Sequence, residues 1–334
     1  MPQRTLISDL SPNELVSGVY ALQNCQLGLT KAGKPFLKCL LGDRSGRTPG
    51  RMWNASEQLF ETLPTDGFVF IEGQTQPYQG EMQIIIQSIA PVEPMDEDLL
   101  HLLPSSEHDV DEMLDELRSI LGTLEHPAIA GLVRQYLEDE AFVARFRRAP
   151  AAMTLHHAFL GGLLEHTLNL VRLADRICPC YPELNRDIVL TGLFLHDLGK
   201  CIELTWERGF GYTDEGHLVG HIAQGVLMLQ ERAAACAASG SPVAEPILRV
   251  LRHVILSHHG RLEHGALKIP ATPEAIFISQ VDNLDAKLHM AIEATRRSRG
   301  GAELGGHFTE KIWALETRLY RPDPTTMEDG EPQA

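Results

Sequence analysis

A histidine and an aspartate stand side by side in Leu195-His196-Asp197-Leu198-Gly199-Lys200, directly after residues 188–195, which are nearly all apolar. A helix of that composition is buried, so the pair is carried into the interior. A carboxylate there is costly unless it is paired or bound to metal. Imidazole and carboxylate together suit a divalent ion such as Mn²⁺, Fe²⁺ or Zn²⁺. Eleven of the 15 histidines lie between positions 156 and 289, and several border stripes that read as core. His166 accompanies Leu160, Leu163, Leu164, Leu168 and Val171, and His258 continues Leu251, Val254 and Ile255. Ile278, Asp282, Asp285 and His289 run along one face beside Phe277, Val281, Leu284 and Leu288, and His221 borders Ile222. A lone histidine on an apolar face is ordinarily a hydrogen-bonded core residue. Four or five helices each aiming an imidazole or carboxylate inward describe a metal site.

Lys200 follows the doublet by three residues. A cation there is read as stabilising the charge of a phosphorane-like transition state, against the plainer alternative of a solvated turn lysine. His156 and His157 precede His166 by about two and a half helical turns. They are read as phosphate or nucleobase contacts at a pocket mouth, or as a helix-start pair. His217, four residues before His221, shares its helix face and is its rival.

The elements that must position these residues fall into two groups. The first ninety residues read as strands over 14–30, 34–41, 51–54, 67–75 and 83–92, with turns at Lys31-Ala-Gly-Lys34, Asp43-Arg-Ser-Gly46 and Tyr78-Gln-Gly80. A short helix over 56–63, capped by Ser56, lies between the third and fourth strands. Five strands with a helix at that place give the order of an OB-fold barrel. Thr48-Pro49-Gly50 predicts an edge or bulge that shortens the third strand. Exposed barrel aromatics would stack bases and nearby cations would track phosphates: Phe36, Trp53 and Tyr78 with Lys34, Lys38 and Arg51. From residue 110 the apolar period becomes helical, with helices over 109–124, 128–148, 159–177, 187–198, 217–238, 244–259, 273–298 and 307–320. Thr272-Pro273-Glu274 is a clear helix start.

The order His166 … His196-Asp197 … Asp282 resembles the signature of the HD superfamily of metal-dependent phosphohydrolases. That resemblance makes these four the first metal ligands. It adds a second metal bridged by Asp197 and held by His221 and His258, with His259 available. Two metals suit phosphoester hydrolysis, because they lower the pKa of a water from 15.7 toward about 7 and stabilise in-line displacement. The segment Pro150-Ala-Ala … His156-His157-Ala-Phe-Leu-Gly161-Gly162-Leu-Leu-Glu165-His166-Thr167 narrows the match. With Gly220-His221-Ile222, Ile255-Leu-Ser-His258-His259-Gly260 and Val281-Asp282-Asn-Leu-Asp285-Ala-Lys287, it resembles the YhaM-type 3′-to-5′ exoribonucleases. That family also places an OB-fold before its HD domain, and the match favours His221 over His217. No Gly-Tyr-Pro follows His259, which argues against the cyclic-dinucleotide phosphodiesterase branch.

The resemblance implies hydrolysis of single-stranded RNA, and of single-stranded DNA as a further substrate, to nucleoside 5′-monophosphates. It implies two divalent ions per chain, Mn²⁺ foremost, with Fe²⁺, Co²⁺, Mg²⁺ or Zn²⁺ compatible. The alternative is an HD phosphohydrolase of a small nucleotide with a regulatory barrel. The expected organisation is a multidomain α+β chain: an OB-fold barrel over 1–95, an acidic linker and helical connector over 96–149, an all-α HD domain over 150–322, and a disordered tail over 323–334. Net charge is −16, but residues 96–146 alone carry 13 acidic and 3 basic side chains. The two working domains are therefore near neutral, and charge leaves nucleic acid open as a partner. No signal peptide or apolar run of roughly 18 residues occurs, so no membrane partner is expected. Six scattered cysteines fit a cytoplasmic chain with reduced thiols. Nothing here opposes a homo-oligomer.

Overall fold

Alternating apolar residues close the first part of the chain into a barrel. The computed structural model describes residues 5–30, 33–64, 67–78, 81–94, 99, 102–153, 157–207, 209–296, 307–309, 311–322 and 325. His156 and nearly all of the tail expected over 323–334 lie outside these. Strands β1 (Leu15–Leu29), β2 (Pro35–Asp43), β3 (Gly46–Trp53), β4 (Gly67–Tyr78) and β5 (Glu81–Val92) close in the order β1-β2-β3-β5-β4. Helix α1 (Glu57–Thr62) bridges β3 and β4, and Ser56 caps it by accepting from the Leu59 N–H at 3.1 Å. All pairings are antiparallel except β3 with β5. This is the OB-fold order. The barrel core holds Tyr20, Leu22, Leu41, Val69, Ile71 and Ile84.

Pro49 does not shorten β3. It pairs with Leu40 inside a strand that runs on from Gly46 to Trp53, and the ladder to β5 covers only Gly50 and Arg51. The proline lies before that second ladder begins.

Helices α2 (Val110–Leu121), α3 (Pro127–Leu137) and α4 (Glu140–Phe146) form the connector and pack into the same core as the helices after them. Those are α5 (Gly162–Ile177), α6 (Arg186–Leu195), α7 (Lys200–Glu203), α8 (Asp214–Leu218), α9 (Gly220–Ala238), α10 (Glu245–Ser257) and α11 (Pro273–Arg296). A two-stranded hairpin, β6 (Leu204–Thr205) with β7 (Gly211–Tyr212), lies between α7 and α8. Side-chain caps start several helices: Asp109 for α2, Asp139 for α4 and Asn185 for α6. Ala21 and Phe68 of the barrel join the helical core. No helix among the described residues is long and apolar enough to cross a membrane.

Four helical expectations are corrected, the first being the single helix over 128–148, which is two helices, α3 and α4, parted where Asp139 caps α4. The helix expected over 307–320 is instead an irregular hairpin with bridges Phe308–Tyr320 and Ile312–Thr317. Glu316 turns the chain there at φ +58°, and the Phe308 and Tyr320 rings meet at 5.4 Å. The stripe on α11 is narrower than expected: Ile278 and Val281 are buried, while Leu284 and Leu288 are 42% and 51% exposed. Helix α11 lies at the margin of the domain, packing on α5, α6 and α10 from one side only. The helix expected over 217–238 is two helices, α8 and α9, broken at Gly220 with φ +76°.

Helix α6 is fixed by an aromatic cluster immediately before the doublet. Phe194 is fully buried and meets Tyr136 and Phe146 edge-on at 5.8 and 6.1 Å. Phe194→Ala should lower unfolding free energy by about 3–5 kcal/mol. Denaturant titration checks this, and a loss below about 1 kcal/mol would show that α6 is anchored elsewhere.

Candidate metal centre

Five helices direct polar side chains into one buried region. His166 projects from the second turn of α5, His196 and Asp197 cap the end of α6, His221 opens α9, His258 ends α10, and Asp282 lies midway along α11. His166, His196, Asp197 and His258 are essentially removed from solvent. The two oxygens of Asp197 face different neighbours. Oδ2 lies 3.3 Å from His196 Nε2 and 3.8 Å from His166 Nε2. Asp282 Oδ1 completes that side, 3.2 Å from His166 Nε2 and 3.9 Å from His196 Nε2. Asp197 Oδ1 instead lies 3.4 Å from His258 Nε2 and 3.6 Å from His221 Nε2. His259 stands next to this second group, its ring 4.3 Å from that of His258.

Every histidine in the cluster has its other nitrogen occupied. His196 Nδ1 donates to the Leu193 carbonyl at 2.7 Å, His258 Nδ1 to Ile255 at 2.8 Å, and His259 Nδ1 to His264 at 2.9 Å. His166 Nδ1 donates to Asp285 at 2.7 Å and His221 Nδ1 to Glu203 at 3.0 Å. A carbonyl or ionised carboxylate only accepts, so each Nδ1 carries a proton, and the neutral ring then presents its lone pair at Nε2. His196 Nε2, His221 Nε2, His258 Nε2 and Asp197 Oδ1 are buried with no hydrogen-bond partner. Orphaned buried acceptors are costly. Several converging with ligand atoms within 4.8 Å of one another suit divalent metal ions.

Electrostatics follow from burial set against neighbours. Burial opposes ionisation of Asp197, yet the Lys200 ammonium and His196 hold its carboxyl well below the usual range. Burial would depress His166, but hydrogen bonds and charge from Asp282 and Asp285 raise it to about 9. Burial also opposes ionisation of Asp282 and Asp285, and the histidines they face keep both low. Burial pushes His258 down, and burial with the nearby His258 lowers His259 to about 4.

Lys200 is no solvated turn lysine. It is buried, with Nζ 2.6 Å from Asp197 Oδ2. His157 is buried too, with Nε2 3.0 Å from the same Asp285 oxygen that holds His166. It therefore stands behind the cluster rather than at an open mouth. His217 is excluded from the cluster. It lies on the separate helix α8, exposed, its ring 5.2 Å from Tyr212. The break at Gly220 reorients the chain between it and His221. Gly199 makes that approach possible, since a Cβ there would stand 2.0 Å from the His221 carbonyl oxygen.

In the barrel, the residues expected to contact bases share one outward face. Phe36 pairs with Trp53 and Lys38 with Arg51 across β2 and β3. The Phe36 and Trp53 rings stand 5.5 Å apart, and the Arg51 guanidinium lies 5.6 Å from the centre of the Tyr78 ring. Trp53 and Tyr78 are 46% and 50% exposed, and Lys34 and Lys38 are exposed.

Two carboxylates escaped the sequence reading as orienting groups. Asp285 was legible as part of the α11 face and its motif, but not as the holder of His166. Glu203 gave no signal, because α7 is a single turn whose register no periodicity reveals.

A family model described as HD domain matches residues 163–287. The chain is 35% identical over 300 residues to a protein named 3′-5′ exoribonuclease YhaM from Bacillus pumilus (strain SAFR-032), covering 88% of this chain and 91% of that one. Proteins of the same name from Geobacillus sp. (strain WCH70) and Bacillus subtilis (strain 168) are each 33% identical over 314 residues. Those matches cover 92% of this chain, and 92% and 95% of theirs.

Asp285→Asn and Glu203→Gln should each weaken divalent-metal affinity about 10- to 100-fold while leaving the fold intact. Affinity should also rise with pH between 7 and 9, because a ligand must be deprotonated and His166 loses its proton only near 9. Competition against a chelator at several pH values measures both effects, and wild-type affinity in the two variants would contradict the orienting role.

Proposed function

Since the chain belongs to the YhaM family of 3′-5′ exoribonucleases, we propose that it hydrolyses single-stranded RNA from the 3′ end to nucleoside 5′-monophosphates at a two-metal HD site. The observation that carries the reading is the division of Asp197. Its Oδ2 faces His166, His196 and the Asp282 side, and its Oδ1 faces His221 and His258. One carboxylate between two nitrogen-rich groups is the geometry of a bridge. His166, His196, Asp197 and Asp282 would hold one ion, and Asp197, His221 and His258 the other, with His259 adjoining. The donors are nitrogen and oxygen without thiolate, which favours Mn²⁺ and admits Fe²⁺, Co²⁺, Mg²⁺ or Zn²⁺.

Ions held there would supply a lowered pKa for water and charge stabilisation at the displaced oxygen. The chain does the rest. Asp285, Glu203 and the helix-end carbonyls fix the imidazoles with Nε2 inward, so little reorganisation is needed when charge develops. Lys200 keeps Asp197 ionised and brings a buried cation to the edge of the reacting region. Cleavage that displaces the 3′ oxygen leaves phosphate on the 5′ carbon of the departing nucleotide. The barrel face around Phe36, Trp53 and Tyr78 supports binding of the rest of the strand. The six cysteines are all free, which supports a cytoplasmic setting.

Pure protein with Mn²⁺ and 5′-labelled single-stranded RNA should give a ladder shortening from the 3′ end, with 5′-monophosphates as product. Asp197→Asn should abolish this turnover in a protein of normal circular dichroism. Cuts within a circular single strand, or activity on free nucleotides alone, would overturn the proposal.

A further inference from the structure

The barrel's outward row does not stop at Trp53. Side chains two apart on a strand share a face, so β3 presents Trp53, Arg51, Pro49 and Arg47 in line over roughly 20 Å. Arg51, Trp53 and Arg47 are partly or fully exposed along it. The row ends at the tight turn between Asp43 and Gly46, which carries the exposed Arg44. Asp43 stiffens that turn by accepting from the Ser45 N–H at 2.7 Å and from the Ile7 N–H at 2.9 Å.

The turn forms one lip of a cleft of about 600 Å³, with Arg44 and Arg47 on the barrel side and Phe159, His289, Met290 and Glu293 on the helical side. That volume is in the range of small-ligand sites. Its helical wall leads by ring contacts to the metal centre. Phe159 stands 5.9 Å from His289, His289 3.9 Å from His157, and His157 5.4 Å from His166. The cleft therefore adjoins the Arg47 end of the barrel row, with the rings of Phe159, His289 and His157 standing between it and the buried cluster. Its two walls differ in chemistry: two guanidinium groups on one side, where the Asp43 carboxylate also lines the cleft but is turned to the Ser45 and Ile7 N–H groups, and aromatic, imidazole and thioether surface with one acid on the other. A nucleotide satisfies both at once, phosphate toward the arginines and base toward Phe159 and Met290. Glu293 disfavours the opposite orientation.

We propose that this cleft is a binding subsite for the single-stranded RNA just upstream of the bond being cut, with Arg44 contacting its phosphate and Phe159 and Met290 receiving its base. This rests on the exoribonuclease reading and gives it a direction: the 5′ part of the strand lies on the β2–β3 face and the 3′ part passes the Arg44 turn toward Asp197.

The test is the salt dependence of binding by the metal-loaded full chain, using an RNA 12-mer whose last three linkages are phosphorothioates to slow its degradation. On single strands each phosphate contact contributes about 0.7 to the slope of log K against log salt. Arg44→Ala should reduce the slope by about 0.7. Arg134→Ala, an exposed arginine of α3 whose guanidinium lies 3.9 Å from Glu138, should leave it unchanged. A 4-thiouridine at the second or third position from the 3′ end should cross-link to the peptide containing Phe159 or Met290. Equal slopes for Arg44→Ala and wild type would overturn the subsite, even where the wild-type chain degrades RNA from the 3′ end. A wild-type chain that binds no single strand would remove the exoribonuclease reading itself, and the subsite with it.

Discussion

Asp197 is a carboxylate taken out of water with both oxygens turned toward imidazoles, and the helical half of the molecule is organised around making that tolerable. Burying one ion costs several kcal/mol even after relaxation. Lys200 at 2.6 Å offsets part of this, and its position is dictated by the single turn of α7 that follows the doublet. The remainder falls to the imidazoles, which must offer nitrogen rather than carbon to the carboxylate and must be held in one tautomer. Two are held by carbonyls one turn back, because His196 and His258 cap α6 and α10. The other two lie inside or at the start of helices, where no such carbonyl is available, and carboxylates take over: Asp285 for His166 and Glu203 for His221.

This division explains which parts were legible in the sequence. His196 and Asp197 announced themselves by following an apolar run, and the barrel by its strand order and turn residues. Asp285 appeared on the right face of α11, since a helix of that length has a readable period. Glu203 did not, because four residues carry no period. His217 looked equivalent to His221 only while one helix was drawn through both; the left-handed backbone at Gly220 separates them. The hairpin around Glu316 read as a helix because its apolar residues are three or four apart by accident of a short turn, and non-local pairing between Phe308 and Tyr320 decides the outcome. Leu284 and Leu288 matched a core stripe, but how far a helix is covered depends on neighbours that its own sequence does not name.

The barrel and the metal cluster communicate through geometry rather than through any shared ligand. Phe68 and Ala21 anchor the barrel in the helical core, which sets the β2–β3 turn opposite Phe159 and His289. His157 then links that wall to the centre. Its Nε2 shares one Asp285 oxygen with His166, so the outer wall and the inner ligand are braced by a single carboxylate. His157 adopts φ +48°, a conformation uncommon for a residue with a side chain, and this bracing is what it gains.

The central claim is that Asp197 joins two ions rather than serving one. Electron paramagnetic resonance of the fully Mn²⁺-loaded chain tests it most directly. The account expects a spin-coupled pair whose coupling disappears in His221→Ala, which would leave an isolated ion on the His166 side. A wild-type spectrum of isolated Mn²⁺ at full loading, unchanged by that substitution, would contradict it.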